Sequence, residues 1–479
     1  MAAKTSRVMR RILVSFLPLA MALSASGQQN NMLGMQMPQS DSQHDMRGMQ
    51  MSGGDQVNKD ERDDAQDLPS GPMVKLGDLE QMALAHNPTL AQVSADVRAA
   101  EGARKQAGLY PNPTVGYYGD EIRGGSYHSG KEGAFVSQTI VLGGKLGAAK
   151  ETAEQQRLQA VTNVDAQHYR VLSSVRSLYY QVLAAQRLVE VRRQLLSLAN
   201  DAVDTSHQLG NVGQADRPDV LQAEVEAEQA GLALDSAKQD YLSLWQTLAA
   251  TTGNPGLTWG RVEGNLEDIP QLDQQEWLTK VLTGSPQVRY AQQETERAQA
   301  ALRESKKVPI PDIQISANVS QDNEPLDTTL GRTGVVSGAQ VGVQLPIFNR
   351  NQGNVEEAKA ELERSQAEIQ RLQLDLRRKV VSQFRDYTTA RMAADRYRTS
   401  MLPRAQKAYD LYKANYSNMA AAYPQVLIAQ RTLFQLQVDY IHALEAVWMN
   451  ALQIEGYGLS DGLAAPSSPS NGWRTGLPQ

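Results

Sequence analysis

The densest chemistry in the chain is sulfur. Met32, Met35 and Met37 return as Met46, Met49 and Met51 in the repeated string Met-x-Gly-Met-Gln-Met, with His44 between the two copies. Six of the chain's 15 Met fall in this short window, far more than chance spacing would put there. Thioether sulfur is a soft ligand that suits Cu(I), and by extension Ag(I), and it binds without losing a proton. Met elsewhere is more often core filler, but residues 28–72 are Gln, Met, Ser, Asp and Gly with almost no large apolar residue. Such a composition cannot pay for an ordered core and is expected to be disordered when free. A flexible segment of this kind can fold three or four thioethers around one ion. Met32, Met35, Met37, His44, Met46, Met49 and Met51 are therefore the candidate metal ligands, with the ion as captured cargo and no resident cofactor expected.

Little else in the chain points to chemistry. His86, His128, His168, His207 and His442 are scattered without ligand spacing, and His168 reads as packed at a heptad position. No Gly-x-Ser-x-Gly, His-Glu-x-x-His or Walker pattern occurs, so no enzymatic site is expected. The net charge of −6 is mild and speaks against a nucleic-acid partner. With no cysteine, disulfides, zinc ribbons and thiol catalysis are excluded.

Three kinds of element must position whatever the chain does. Residues 1–27 read as a secretory signal: Lys4, Arg7, Arg10 and Arg11 precede a short apolar run, and Ser24-Ala25-Ser26 offers a cleavage site. No later stretch is apolar enough for a membrane helix, so a further crossing must use strands. The rest is an internal repeat. Pro88 and Pro113 recur as Pro286 and Pro311, 198 residues on, and Gln138 and Pro218 recur as Gln344 and Pro424, 206 residues on. The change of offset places an insertion of about eight residues in the second hairpin. We read residues 73–270 and 271–458 as the two copies and 459–479 as a flexible tail.

Each copy runs in one order. A helix opened by Asn87-Pro88 or Ser285-Pro286 uses N-cap and Pro-at-N1 chemistry. Two alternating strands follow, with Ile313, Ile315, Ala317 and Val319 on one and Ala339, Val341, Val343 and Leu345 on its return. This period of two fits a lipid face and a wet lumen. Next comes a proline-free helix over about 144–208, roughly 100 Å long, with Val161, Val164, His168, Val171, Val175 and Val182 at coiled-coil spacing. A turn at Gly210-Asn211-Val212-Gly213 leads to a returning helix with Ala223, Ala230, Leu234 and Tyr241 inward, and the second copy turns near Asn418. The expected fold is mainly α with a small β part. Four strands cannot close a barrel, because the smallest transmembrane barrels have about eight, so several chains must share one.

The chain resembles the TolC-type outer-membrane efflux proteins, in the branch serving heavy-metal pumps of the RND class. The resemblance spans roughly residues 74–457. It rests on Pro346-Ile347-Phe348-Asn349-Arg350-Asn351-Gln352-Gly353, on Val141-Leu142-Gly143-Gly144-Lys145, and on the tip pattern from Gly213 to Glu224. It implies a homotrimer in the outer-membrane lipid, with one twelve-stranded barrel above a periplasmic helical tunnel. It further implies docking of the tips, with Gly210, Gly213, Asp216, Arg217, Pro218, Asn418 and Pro424, onto a periplasmic adaptor and an inner-membrane RND transporter. Asp410 aligns with an acidic position lining the periplasmic constriction of similar ducts, and Asp204 is its counterpart in the first copy. In a trimer each becomes a carboxylate ring that attracts cations, and Tyr409 and Tyr412 stand ready to close the same constriction. The expected function is passive conduction of exported Cu(I) or Ag(I). The rivals are the same duct for divalent Zn, Co or Cd or for drugs, and a soluble periplasmic copper-binding coiled-coil scaffold. The chain departs from many relatives in lacking a lipidated Cys and a terminal aromatic residue.

Overall fold

A computed structural model describes residues 71–120, 130–211, 216–327, 331–417 and 423–466. The signal-like stretch, all seven candidate metal ligands from Met32 to Met51, Gly213 and Asn418 lie outside the described residues.

The first copy comprises α1 (Leu76–His86), α2 (Pro88–Ala107), β2 (Thr114–Asp120), β3 (Lys131–Ile140), α3 (Lys145–Asn211) and α4 (Arg217–Thr251). The second comprises α5 (Gln274–Gly284), α6 (Pro286–Lys307), β5 (Ile313–Asp327), β6 (Gly331–Val343), α7 (Gln352–Arg396), α8 (Leu402–Ser417) and α9 (Tyr423–Glu455). Two short strands, β1 (Met73–Val74) and β4 (Arg261–Val262), pair in parallel and tie the start of the first copy to the connection between copies.

The local chemistry explains the starts. Asn87 accepts the Thr89 N–H at 2.9 Å, with Pro88 at the first helical position of α2. Ser285 accepts the Val288 N–H at 3.3 Å ahead of Pro286 in α6. Each side chain satisfies one of the N–H groups a helix start leaves open.

The strands form one antiparallel sheet in the order β2-β3-β5-β6. They are less uniform than the sequence suggests, at 7, 10, 15 and 13 residues. The longer second hairpin absorbs the change in repeat offset. It also moves the strand equivalence by one residue: Val115 faces Val136 in the first hairpin, and Ile313 faces Val343 in the second. Val343, not Gly342, therefore holds the place of Val136. Leu345, expected inside the return strand, lies just past the end of β6. The sheet is pinned to the helices at one junction. Asp312 accepts the Leu142 N–H at 3.0 Å and pairs with Lys145 Nζ at 2.9 Å. Ile310 seats over Gly143, whose φ of 69° suits glycine, and a Cβ there would lie 2.5 Å from Ile310 Cδ1.

At 67 residues α3 spans roughly 100 Å, and α2, α4, α6 and α9 all pack along it. It runs on through Gly210 and Asn211, where a turn was expected. A lone Gly costs a helix only about 1 kcal/mol, and the flanking backbone ladder outweighs that. The heptad reading of α3 fails in its first half. Val161 and His168 are exposed, and the buried series is Ala153, Ala160, Gln167 and Ser174. The seam against α2 and α6 is polar here, so hydrophobicity misassigns the inward face. Gln159 donates to Glu294 at 2.7 Å and Thr162 donates to Gln293 at 2.8 Å. From Val171 onward the expected apolar face holds, and Val171, Val175, Val182 and Val189 are fully buried.

The second copy's descending helix is not continuous. Between α7 and α8 one π-helical turn, Tyr397–Met401, intervenes just before Pro403. Proline has no N–H to donate and its ring displaces the carbonyl four residues back. The wider turn accommodates both effects.

The core gathers where the two copies meet beside β1 and β4. Trp448 stacks on Tyr180 with ring centroids 3.6 Å apart and donates to the Leu266 carbonyl at 2.8 Å. Tyr241 donates to the Gly260 carbonyl at 2.5 Å, and Tyr387 to that of Pro270. The aromatic groups thus bury their rings and spend their polar ends on the linker backbone. Beyond α9 the chain is not the free tail expected from residue 459. Leu459 is buried, and Gly462 is fastened on both sides. Its N–H donates to Ser174 Oγ at 2.7 Å, and its carbonyl accepts from Thr89 Oγ1 at 3.2 Å and Asn87 Nδ2 at 3.4 Å. Gln167 closes the cluster by donating to Thr89 Oγ1 at 2.8 Å.

Two outcomes follow for stability. Relative to a chain ending at Pro466, one ending at Gly458 should lose about 3 kcal/mol with the Gly462 hydrogen bonds and the burial of Leu459, seen as an earlier heat transition of the extracted protein. In the seam between α3 and α6, burial pushes the Glu294 pKa up, but hydrogen bonds from Arg297 and Gln159 outweigh it and hold the group below the usual carboxylate range. The stability this contributes is present above the unfolded-state pKa and is lost as pH falls through the lowered folded value. Glu294→Gln should therefore flatten the acid limb of the stability curve, measured by denaturant titration at several pH values.

Candidate functional site

The residues expected to line a constriction lie toward the ends of the paired helices. Tyr409, Asp410 and Tyr412 fall within one turn of α8, with Asp410 exposed. Asp410 accepts from Gln406 Nε2 at 3.0 Å, a bond within its own helix that leaves the second carboxylate oxygen for solvent or cation. Lys413 Nζ stands 5.9 Å from the centre of the Tyr409 ring, a cation–π distance. Asp204 sits exposed in the last turns of α3. Asp204 and Asp410 lie on different copies, 206 residues apart in the sequence, and no hydrogen bond between them occurs among the described residues.

Of the tip residues, Gly210 is helical in α3. Asp216 holds the N-cap position of α4 in extended backbone, and its carbonyl accepts the Asp219 N–H at 3.0 Å. Arg217 and Pro218 are the first two residues of α4, and Pro424 is the second of α9. Proline at such a start costs no hydrogen bond and fixes the entry angle of the chain.

Sequence reasoning missed the links that hold the helices together just inside the tips. Arg431 on α9 pairs with Glu226 on α4, joining the two copies. His207 on α3 lies 3.2 Å from Glu224 on α4, joining the arms of the first hairpin. Between α3, α4 and α9 lies a groove lined by Leu195, Ala202, Glu226, Ala230, Gln430 and Phe434. Exposed charges on coiled-coil flanks are so common that neither pair carries a sequence signal of its own, although its residue types suit pairing. Among the described residues, no group of three His, Asp or Glu side chains converges as a metal site.

The second part of the surface is the sheet. Val115, Tyr117, Val319, Val335 and Val341 are exposed apolar residues on strands. The alternate positions are mostly polar or glycine, with Phe135 and Val336 as apolar exceptions, and there Asn318 donates to the Tyr118 hydroxyl at 2.7 Å. No described helix is long and apolar enough to cross a membrane, so the sheet is the part of the described chain with a face suited to hydrocarbon.

Known proteins share this arrangement. The chain is 27% identical over 374 residues to the cobalt-zinc-cadmium resistance protein CzcC of Cupriavidus metallidurans, covering 78% of this chain and 87% of that one. It is 24% identical over 286 residues to the nickel-cobalt-cadmium resistance protein NccC of Alcaligenes xylosoxydans xylosoxydans, covering 58% and 62%. Crystal structures of CusC, described in terms of folding and transmembrane channel formation, superpose with a TM-score of 0.65 at 17% identity over 80% of this chain and 92% of that one. The family model for outer membrane efflux proteins matches residues 79–254 and 277–455, most of the two copies. With that match and the sheet-and-long-helix architecture together, the chain belongs to the outer membrane efflux protein family and resides in the outer membrane.

Proposed function

We propose that this chain is one subunit of a trimeric duct that passively conducts metal ions from a periplasmic adaptor and an inner-membrane transporter to the exterior. The observation that carries this reading is the four-stranded sheet with two open edges, an apolar face and no membrane-spanning helix among the described residues, joined to long helices of which α3 reaches roughly 100 Å. A soluble periplasmic scaffold would have no use for an apolar sheet face. The energy for transport comes from the partners, and the duct supplies a path and a selective mouth.

The preferred cargo is Cu(I) or Ag(I), on the strength of the thioether cluster Met32, Met35, Met37, Met46, Met49 and Met51 with His44. In this reading residues 28–72 remain after removal of a signal at 1–27 and collect ions near the duct. A second reading takes divalent cobalt, zinc or cadmium, favoured by the similarity to a protein named for resistance to those metals. Asp410, with Asp204 behind it, is read as a threefold carboxylate ring that favours either kind of cation.

Elemental mass spectrometry of a strain lacking the gene separates the cargo readings. Copper and silver should accumulate and return to normal with the full chain but not with a chain lacking residues 28–54. Accumulation of cobalt, zinc or cadmium alone would transfer the assignment to the divalent metals. In planar bilayers, Asp410→Asn should lower the cation-to-anion permeability ratio about fivefold, the factor for ~1 kcal/mol of ring electrostatics. An unchanged ratio would remove Asp410 from the constriction.

A further inference from the structure

The described chain enters against two helices, and both continue past the entry with a cation. Met73 and Val74 run parallel to Arg261 and Val262. On α3, Gln186 accepts the Val262 N–H at 3.2 Å, and Glu190, one turn nearer the hairpin end, pairs with Arg261 at 2.9 Å. Going backward along β1 therefore moves along α3 from Gln186 to Glu190 and on toward exposed Arg193, the next residue of the same stripe. On α4, Tyr241 donates to the Gly260 carbonyl at 2.5 Å, and Lys238 lies one turn nearer the hairpin end on the same face. The entry point is fixed between these stripes. Gly71 sits so close to the Trp259 carbonyl that a Cβ there has no room.

The register of the helix pair sets the two cations opposite each other. His207 on α3 meets Glu224 on α4 at 3.2 Å. Arg193 lies 14 residues before His207, and Lys238 lies 14 residues after Glu224 (207 − 193 and 238 − 224). Two heptads bring each helix back to the same face, so the antiparallel pair places Arg193 and Lys238 at one height. Like charges so placed disfavour the packing unless an anion lies across them. Asp235 answers Lys238 only loosely, at 3.6 Å, with its own side chain 74% exposed.

We propose that Asp63, Asp64 and Asp67 are that anion, lying across Arg193 and Lys238 and clamping the entering chain to the α3–α4 pair. Residues 63–70 lie outside the described residues, and they carry these three carboxylates with no Lys or Arg. From Gly71 back to Asp67 the chain reaches at most about 14 Å, and to Asp63 about 28 Å. Arg193 stands only about 5 Å along the axis from Glu190, so the acidic run has length to spare. The direction of β1, the reach and the charge all lead to the same place. The clamp goes beyond the conduction reading and holds whichever ion is carried. It sets the point from which the preceding stretch of chain leaves the body.

The chain contains no cysteine, so a spin label on A65C in the full-length, detergent-extracted protein reports this segment alone. The label should be largely immobilised. Its ratio of immobile to mobile signal should fall about fivefold in R193E with K238E, the scale of a pair of partly exposed ion pairs. Adding D63K, D64K and D67K to that variant should restore the immobile signal. D63N with D64N and D67N, which leaves the helices untouched, should mobilise the label as well. A short bis-maleimide should join Q66C to S197C, one turn beyond Arg193 on the same stripe, and not to T279C on α5. A label that is mobile in every variant overturns the clamp. One that stays immobile in every variant overturns Arg193 and Lys238 as its partners. Failure of the exchanged charges to restore order, or equal linking to S197C and T279C, overturns it too.

Discussion

A backbone N–H or C=O left without a partner in hydrocarbon costs several kcal/mol, and a four-stranded sheet has two rows of them. Most of what distinguishes this chain answers that demand. The strands alternate so that one face suits lipid. The hairpins are placed so that a strand of one copy pairs with a strand of the other in the middle of the sheet. The long helices inherit the spacing, because each hairpin arm leads into or out of a helix through a fixed junction. Where Asp312 joins Leu142 and Lys145, that junction transmits the strand position into the first turn of α3.

Duplication has not left the two copies alike. α3 runs unbroken, whereas its counterpart passes from α7 through a π-helical turn into α8. The difference traces to Pro403, where the first copy has Ser197. Thr399 answers part of the disturbance by donating to the Asp395 carbonyl at 2.6 Å. The wide turn leads directly into the helix carrying Tyr409, Asp410 and Tyr412, so the two copies reach these heights of the repeat with different backbones. Arg431 and Glu226 hold these unlike partners together across the copies.

The helices, the strands and their duplication were legible because periodicity is written in side chains. Pro88 and Pro286 each stand one residue past a capping side chain, and Ile313 to Val319 alternate without exception. The inward face of α3 was legible only where it is apolar. At Gln159, Thr162 and Gln167 the seam is polar, and a hydrophobicity pattern points to Val161 and His168 instead. The pairing of β1 with β4 escaped because strands of two residues show no period. The fastening of Gly462 escaped because its bonds use main-chain groups that every residue possesses. Of the candidate site, Asp410 was proposed through the family resemblance and Asp204 through repeat equivalence, whereas the Arg431–Glu226 and His207–Glu224 pairs depend on which helices become neighbours, and one sequence does not reveal that. The thioether cluster is the reverse case: its chemistry is plain in the sequence and owes nothing to the fold.

The fastening of Gly462 also has a bearing on time. Asn87, Thr89 and Gln167 belong to the opening part of the first copy, yet the carbonyl that completes their bonding lies beyond the last helix of the second. A growing or translocating chain cannot close that cluster until nearly all of it has passed through. Until then Asn87, Thr89 and Gln167 keep the partners they have within the first copy, the Thr251 carbonyl, Asn87 Oδ1 and Thr89 Oγ1, and lack only the Gly462 carbonyl. The last contacts of the first copy therefore form only when the stretch beyond α9 arrives.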